Sequence, residues 1–282
     1  MFGSHLSIAG GMHNALLSAE KLGFDTVQVF TKNQQQWLCK PLAATDIEPW
    51  ATHCKRLKFK QTVSHDSYLI NLASSNDELR KKSIALFVEE LSRCSQLGIP
   101  YLVTHPGAHM GVGEEAGLKK VAEALDEVHA KVKADDVITC LEITAGQGSS
   151  LGYKLEHLAE IISLVKTPKR LGVCLDTAHL FAAGYDFRGK KYTQFRKDLE
   201  KTVGISQVKV LHLNDSKKPL GSRVDRHDHI GRGMIGIEGF EPFVQDSAFA
   251  RIPKILETPK ARDEQGREWD AVNLELLRSL VK

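Results

Sequence analysis

The chain has 282 residues, the length of one large single-core domain or two small ones, and its 42% hydrophobic and 26% charged residues are an ordinary globular composition that excludes collagen-like, low-complexity and disordered classes. No apolar run approaches the roughly 18 to 20 residues that span a bilayer, MFGSHLSIAGG has no basic n-region, and five scattered cysteines without a CxxC suit a reducing compartment, so a monomeric cytoplasmic protein with no membrane partner is expected. A net charge of +3 is too small to identify a nucleic-acid partner in bulk, although the segment Ser216–Gly236 concentrates Lys217, Lys218, Arg223, Arg226 and Arg232 against Asp225 and Asp228.

Short β-branched or apolar runs alternate with amphipathic segments of helical period. In chain order the pattern predicts strand Phe2–Leu6, helix Met12–Leu22, strand Thr26–Phe30, helix Asp46–Leu57, strand Gln61–His65, helix Asp77–Leu97, strand Tyr101–His105 and helix Glu114–Lys133. Strand Val137–Glu142, helix Lys154–Val165, strand Leu171–Asp176, helix Lys190–Val203, strand Gln207–Leu213, a short helix at Gly239–Gln245, strand Lys254–Thr258 and helix Trp269–Val281 complete the set. Glycines 23, 98 and 204 follow three of the helices, where a left-handed residue ends a helix. Eight strand-then-helix units with no linker predict a closed (β/α)8 TIM barrel rather than a doubly wound open sheet, and SIAGG after the first strand lacks the G-x-G-x-x-G of a dinucleotide-binding turn.

What ends each strand points to chemistry. Strands three to eight end at His65, His105, Glu142, Asp176, His212 and Glu257, and a barrel brings its strand ends together at one rim. One such residue is a polar side chain satisfied at a strand end; six in register are a ligand set. Asp176 and His179 at i, i+3 can share one side of a helical first turn, and Asp225 and His227 at i, i+2 share a face of extended chain. The total of five histidines and four carboxylates is enough for two or three ions with a bridging carboxylate. Imidazole and carboxylate without thiolate suit zinc, with manganese or iron as lesser options, and fit the all-oxygen preference of magnesium poorly. Clustered zinc ions acidify bound water and hold both the attacking and leaving oxygens of a phosphoryl displacement.

Cys140 and Cys174 precede ligands by two residues and are expected to fill the barrel interior. His5 ends strand one at the same rim, where it can support a ligand or touch phosphate. His53, His129 and His157 are expected on helix surfaces, whereas His229, two residues after His227, is a further candidate for the site. After Glu142, TAGQGSSLG offers backbone N–H groups to phosphate, with a flexible loop as the plain alternative. After His65, Tyr68 and Leu69 lie where an aromatic and an apolar tip can enter a base stack. The basic run faces the same rim and suits a sugar-phosphate backbone.

These residues resemble the endonuclease IV family of zinc-dependent apurinic/apyrimidinic endonucleases, through FTKNQQQW, HDSYLIN, THPG, EITAGQGSSLG, CLDTAHLFAAGYD, HLNDSKKPLGSRVDRHDHIGRGMIG and ILET, in that order along nearly the whole chain. The resemblance implies a barrel holding three Zn2+ per chain: one on His65, His105 and Glu142, a second on Glu142 as bridge with Asp176, His212 and Glu257, and a third on His179, Asp225 and His227. It implies a DNA-repair hydrolase that turns an abasic sugar out of duplex DNA and cuts on its 5′ side, leaving a 3′-hydroxyl and a 5′-deoxyribose phosphate, with a 3′-end-cleaning phosphodiesterase side activity. Glu257 and the bridging Glu142 would be catalytic, Glu257 orienting or activating the attacking water. Gln35, Tyr68, Leu69, Lys217, Arg223 and Arg226 would meet DNA. Four positions depart from the family pattern: Gln35 stands where some members carry arginine, Ile143 where a polar residue is usual, Ala178 for a common cysteine and Arg232 for a glutamate. A sugar isomerase or epimerase on the same barrel is the rival, but such sites are mostly carboxylate; a DNA-binding protein with structural zinc would favour closed, thiolate-rich sites.

Overall fold

A computed structural model describes Met1–Lys282. Strands β1 (Phe2–His5), β2 (Thr26–Val29), β3 (Val63–His65), β4 (Tyr101–Thr104), β5 (Ile138–Glu142), β6 (Leu171–Asp176) and β7 (Val208–His212) are followed by a two-stranded ribbon, β8 (Asp215–Ser216) with β9 (His227–Asp228), and by β10 (Lys254–Leu256). All but the ribbon pair in parallel, in the closed order β1-β10-β7-β6-β5-β4-β3-β2. Helices α1 (Asn14–Leu22), α2 (Ala44–Leu57), α3 (Asp77–Leu97), α4 (Glu114–Lys131), α5 (Leu155–Leu164), α6 (Thr177–Ala183), α7 (Tyr192–Thr202), α8 (Glu241–Gln245) and α9 (Trp269–Ser279) connect them. No helix is long and apolar enough to cross a membrane.

The chain's local signals explain the boundaries. Asn76 caps α3 by accepting from the Leu79 N–H at 2.9 Å, Asp77 and Glu78 fill its first turn, and Gly98 closes it at φ 65°. Two features were not anticipated as elements: α6, which extends the expected single turn after Asp176, and the ribbon, which the sequence suggests only as extended chain around Asp225–His227. Strands β4 and β10 stop one residue before His105 and Glu257, so these two ligand candidates stand at the first residue past the ladder.

Two layers of packing position the rim. Outward side chains such as Val27, Leu102, Leu141, Val173, Leu211 and Leu256 join the helices in one apolar cluster of 56 buried residues. Inward, a separate small cluster holds Val63, Val103, Cys140, Cys174, Val210 and Ile255, all fully buried. Each of these six lies two residues before His65, His105, Glu142, Asp176, His212 or Glu257. A strand alternates faces with period two, so an apolar residue in the barrel axis sets the ligand candidate two residues later facing inward, one layer nearer the C-terminal mouth.

Candidate metal centre

Glu142, fully buried at the end of β5, is the hub. Its Oε2 lies 3.2 Å from His65 Nε2 and 3.0 Å from His105 Nε2, while its Oε1 lies 2.9 Å from His212 Nδ1. His212 Nδ1 is also 3.1 Å from Glu257 Oε2 and 3.9 Å from Asp176 Oδ2. The register that pairs Asp176 with His212, and Ile255 with His212, sets these groups side by side. Beyond them, His179 Nε2 lies 3.2 Å from Asp225 Oδ2, and His227 Nε2 lies 3.3 Å from Asp225 Oδ1 and 3.7 Å from Asp176 Oδ2. Ligand atoms converge within 4.8 Å of one another in the groups His65, His105, Glu142; Glu142, Asp176, His212, Glu257; and Asp176, His179, His227. All nine side chains singled out from the sequence thus meet in one cluster. The third group differs from the expected one in that Asp176 reaches into it and Asp225 stands at its edge, half-exposed.

Local structure explains two of these placements. Asp176 is the N-cap of α6: its Oδ1 accepts from the His179 N–H at 2.9 Å, which fixes the helix start and places His179 over the rim while Oδ2 stays turned to the ligand groups. The ribbon is pinned by Asp215, whose carboxylate accepts from the N–H groups of Ser216, Gly231 and Ile235 at 2.8 to 3.0 Å, so the chain carrying His227 is fixed rather than loose.

Four of the histidines have one ring nitrogen held by a backbone carbonyl or an amide oxygen, although the His179 nitrogen so held also lies 3.3 Å from Glu142 Oε1. Nδ1 of His65, His179 and His227 faces the carbonyls of Asp66, Ile143 and Glu257 at 2.9, 2.9 and 3.3 Å. His212 reverses the roles, with Nε2 at 2.8 Å from Gln28 Oε1. Such partners set the tautomer and aim the other nitrogen at the centre, as they do for metal-bound imidazoles. His227 Nε2 is buried without a hydrogen-bond partner, the condition of a nitrogen that serves a cation. Burial would raise the carboxyls of Glu142 and Glu257, but the surrounding imidazoles, His212 foremost, hold both well below the usual carboxylate range. Burial would likewise lower His65, His179 and His212, yet the facing carboxylates keep His65 and His179 well above the ordinary imidazole value, and Cys174 with Glu257 and Glu142 does the same for His212. Protons and a divalent cation therefore compete for these atoms, and metal affinity falls as pH falls. The donor set fits zinc.

Cys174 Sγ also falls within reach of Glu142 and His212. Burial pushes its thiol up to about 12, so it stays protonated and remains the interior filler expected of it. Two further residues lie outside the set expected from the sequence, Gln28 and Asn214. Gln28 donates to Glu257 Oε1 at 2.5 Å as well as holding His212, and Asn214 donates to Asp176 Oδ2 while its Oδ1 accepts from the Glu257 N–H, both at 2.7 Å. Gln28 stands at the third residue of β2, so the rim alternation that exposed His5 and Glu142 was the available signal.

Other expectations fare differently. His5 supports a ligand candidate, its Nδ1 lying 3.2 Å from Glu257 Oε1. His229 does not join the cluster; it stacks on the Trp269 ring at 4.0 Å and packs against Asn273 of α9. His129 and His157 are buried rather than on the surface, because α4 and α5 pack together with the Thr167 and Glu114 side chains facing these rings. His53 is partly exposed and stacks on His13. The Thr144–Gly152 loop is not free: Ala108 and Ser150 form a bridge, Leu151 N–H donates to the Gly107 carbonyl at 2.8 Å, and a Cβ on Gly152 would stand 2.8 Å from the Pro106 ring. This loop, Tyr68, His105, His179 and Asp225 line a cleft of about 450 Å³ beside the centre. Tyr68 is 69% exposed at its mouth, edge-on to Phe30, whereas Leu69 is half-buried against the core. Gln35, Lys217, Arg223 and Arg226 are exposed, Arg223 lying over the Tyr153 ring at 4.4 Å.

The family model described as "Xylose isomerase-like TIM barrel" matches residues 16–280. A protein of Chloroflexus aurantiacus named "Probable endonuclease 4" is 51% identical over 282 residues, covering 100% of this chain and 98% of its own length. The crystal structure of endonuclease IV from Thermus thermophilus superposes with a TM-score of 0.86 at 35% identity, covering 99% of this chain and 98% of that one. The chain belongs to the endonuclease IV family. It is accordingly a hydrolase of the deoxyribonuclease IV type, with a barrel that presents clustered potential metal ligands. A D-tagatose 3-epimerase-like protein has a TM-score of 0.74 at 21% identity, and that likeness extends to the fold alone.

Proposed function

We propose that this endonuclease IV hydrolyses the phosphodiester bond on the 5′ side of an abasic site in duplex DNA, leaving a 3′-hydroxyl and a 5′-deoxyribose phosphate, with three zinc ions held by nine side chains. The observation that carries the reading is Glu142, whose two oxygens face different ligand groups, as a bridging carboxylate must. His65 and His105 with Glu142 would hold one ion, Glu142 with Asp176, His212 and Glu257 a second, and His179, Asp225 and His227 a third, with Asp176 close enough to contribute. Zinc there supplies Lewis-acid stabilisation of charge developing on the phosphoryl oxygens and favours deprotonation of water near neutral pH.

The chain's own groups do the rest. Glu257 is kept ionised chiefly by His212 and is oriented by Gln28 and His5, so it can align a water for attack and accept its proton. Exposed Tyr68 occupies the gap beside a flipped abasic nucleotide, with half-buried Leu69 behind it and Gln35 on the neighbouring loop, while Lys217, Arg223 and Arg226 meet phosphates. The cleft next to His105 and Asp225 receives the turned-out sugar. Removal of 3′-phosphoryl fragments is the same hydrolysis at a strand end, and we include it as a side activity. The whole chain, 1–282, acts as one monomeric unit in the cytoplasm.

An end-labelled duplex with one abasic site, incubated with enzyme and no magnesium, tests this. A single cut whose 3′ end a polymerase extends directly is expected. An intact strand, or cleavage on the 3′ side of the lesion, refutes it.

A further inference from the structure

One buried ion pair plays no part in the chemistry above. Lys32, at the start of the loop after β2, and Glu90, on the inner face of α3, have side chains only 2% and 1% exposed, with Nζ 4.0 Å from Oε1. Lys32 Nζ donates to the carbonyls of Asn33 at 2.8 Å and Gln36 at 2.5 Å, bracketing Gln35. Glu90 Oε1 accepts from the Ser67 N–H at 3.2 Å, one residue before Tyr68, and Ser67 Oγ crosses to the Gln34 carbonyl at 2.6 Å. One turn along α3, Arg93 donates to the Thr31 carbonyl at 3.0 and 2.5 Å and to that of Lys40 at 3.0 Å, holding both ends of the same loop.

Burial of Lys32 and Glu90 costs desolvation that a contact at this separation recovers poorly, as the Glu90 carboxyl pushed up to about 8 by burial shows, and loop carbonyls at a surface are normally satisfied by water. The pair therefore contributes little net stability. What it does contribute is geometry: the Asn33–Gln36 turn and the Ser67–Leu69 turn are tied to one helix and to each other.

We infer that Lys32 and Glu90 are positioning residues for DNA recognition, a buried clamp that makes the Gln35 and Tyr68 loops act as one reading head. The inference rests on the abasic-DNA reading for its binding arm, but the clamp itself is testable without DNA.

The test uses the metal-loaded enzyme and the variant Lys32→Met/Glu90→Met, which removes the Lys32 bonds to the 33–36 turn and the Glu90 bond to the Ser67 N–H together, so no lone charge is left buried. Hydrogen exchange should quicken in both 33–37 and 67–69, with melting temperature and zinc content near wild type. Affinity for an abasic duplex should fall by about 10-fold, the scale of a few lost hydrogen bonds, while kcat at saturating DNA changes by less than about threefold. Adding Tyr68→Ala to this variant should weaken binding by much less than it does in wild type, because an unpositioned tip has little left to lose. Quickened exchange in the 33–37 loop alone overturns the clamp. Additive losses of affinity overturn the recognition role, and both results differ from a wild-type enzyme that ignores abasic DNA, which would overturn the function reading instead.

Discussion

Glu257 is the residue on which the proposed chemistry turns, and its surroundings say what its loss would do. His212 Nδ1, His5 Nδ1 and Gln28 Nε2 all address its carboxylate within 3.2 Å. Glu257→Gln keeps the shape but removes the charge that ligation and proton acceptance need, so incision should fall by about 10² to 10³ while abasic-DNA affinity changes far less. Single-turnover kinetics with a parallel binding assay measure both; near-normal turnover would exclude its role. Tyr68 offers the opposite signature. An aromatic side chain 69% exposed makes few core contacts, so Tyr68→Ala should leave the melting temperature within a few degrees of wild type. Loss of base contact, roughly 1 to 3 kcal/mol, should weaken abasic-duplex binding by about 5-fold to 150-fold. A large loss of stability with unchanged affinity of the folded protein would make it a packing residue.

At the scale of elements, periodicity located every barrel strand to within two residues at either end, because a buried parallel strand is a short apolar run and its partner helix a long amphipathic one. It failed where two elements share a face. His129 reads as a surface residue of α4, yet the ring is buried with Nδ1 at 2.8 Å from Thr167 Oγ1, and burial and the nearby Arg170 pull its pKa down to about 4. The unfolded chain takes up this proton near pH 6.5 and the folded chain only near 4, so the neutral ring's contribution is complete above about 6.5 and is lost as pH falls toward 4. Allowing for solvent screening, the contribution is about 1 to 2 kcal/mol. Urea titrations at pH 7 and 4.5 check it: His129→Gln should flatten the acid-side decline by that amount, and an unchanged slope would show that the proton uptake lies elsewhere.

For the whole molecule, the centre was legible because barrel closure converts strand order into proximity. His65 and Glu257 are distant in sequence, but both belong to the ring of inward side chains above Val63 and Ile255. What the sequence did not reveal is the support: Gln28 and Asn214 carry no metal-type signature, and only the closed sheet shows that they hold His212, Glu257 and Asp176. Nor does spacing show that Asp176 both caps α6 and faces two ligand groups. On the function proposed above, these side chains form one multinuclear zinc centre that cuts abasic DNA. Chelator-stripped enzyme, refilled stepwise with zinc while bound metal and abasic-duplex incision are measured together, tests it most directly. Incision should return only as occupancy approaches about three zinc ions per chain, the number that sites of roughly four ligands each allow when a carboxylate is shared. Full incision by metal-free protein, or with magnesium alone, would contradict it.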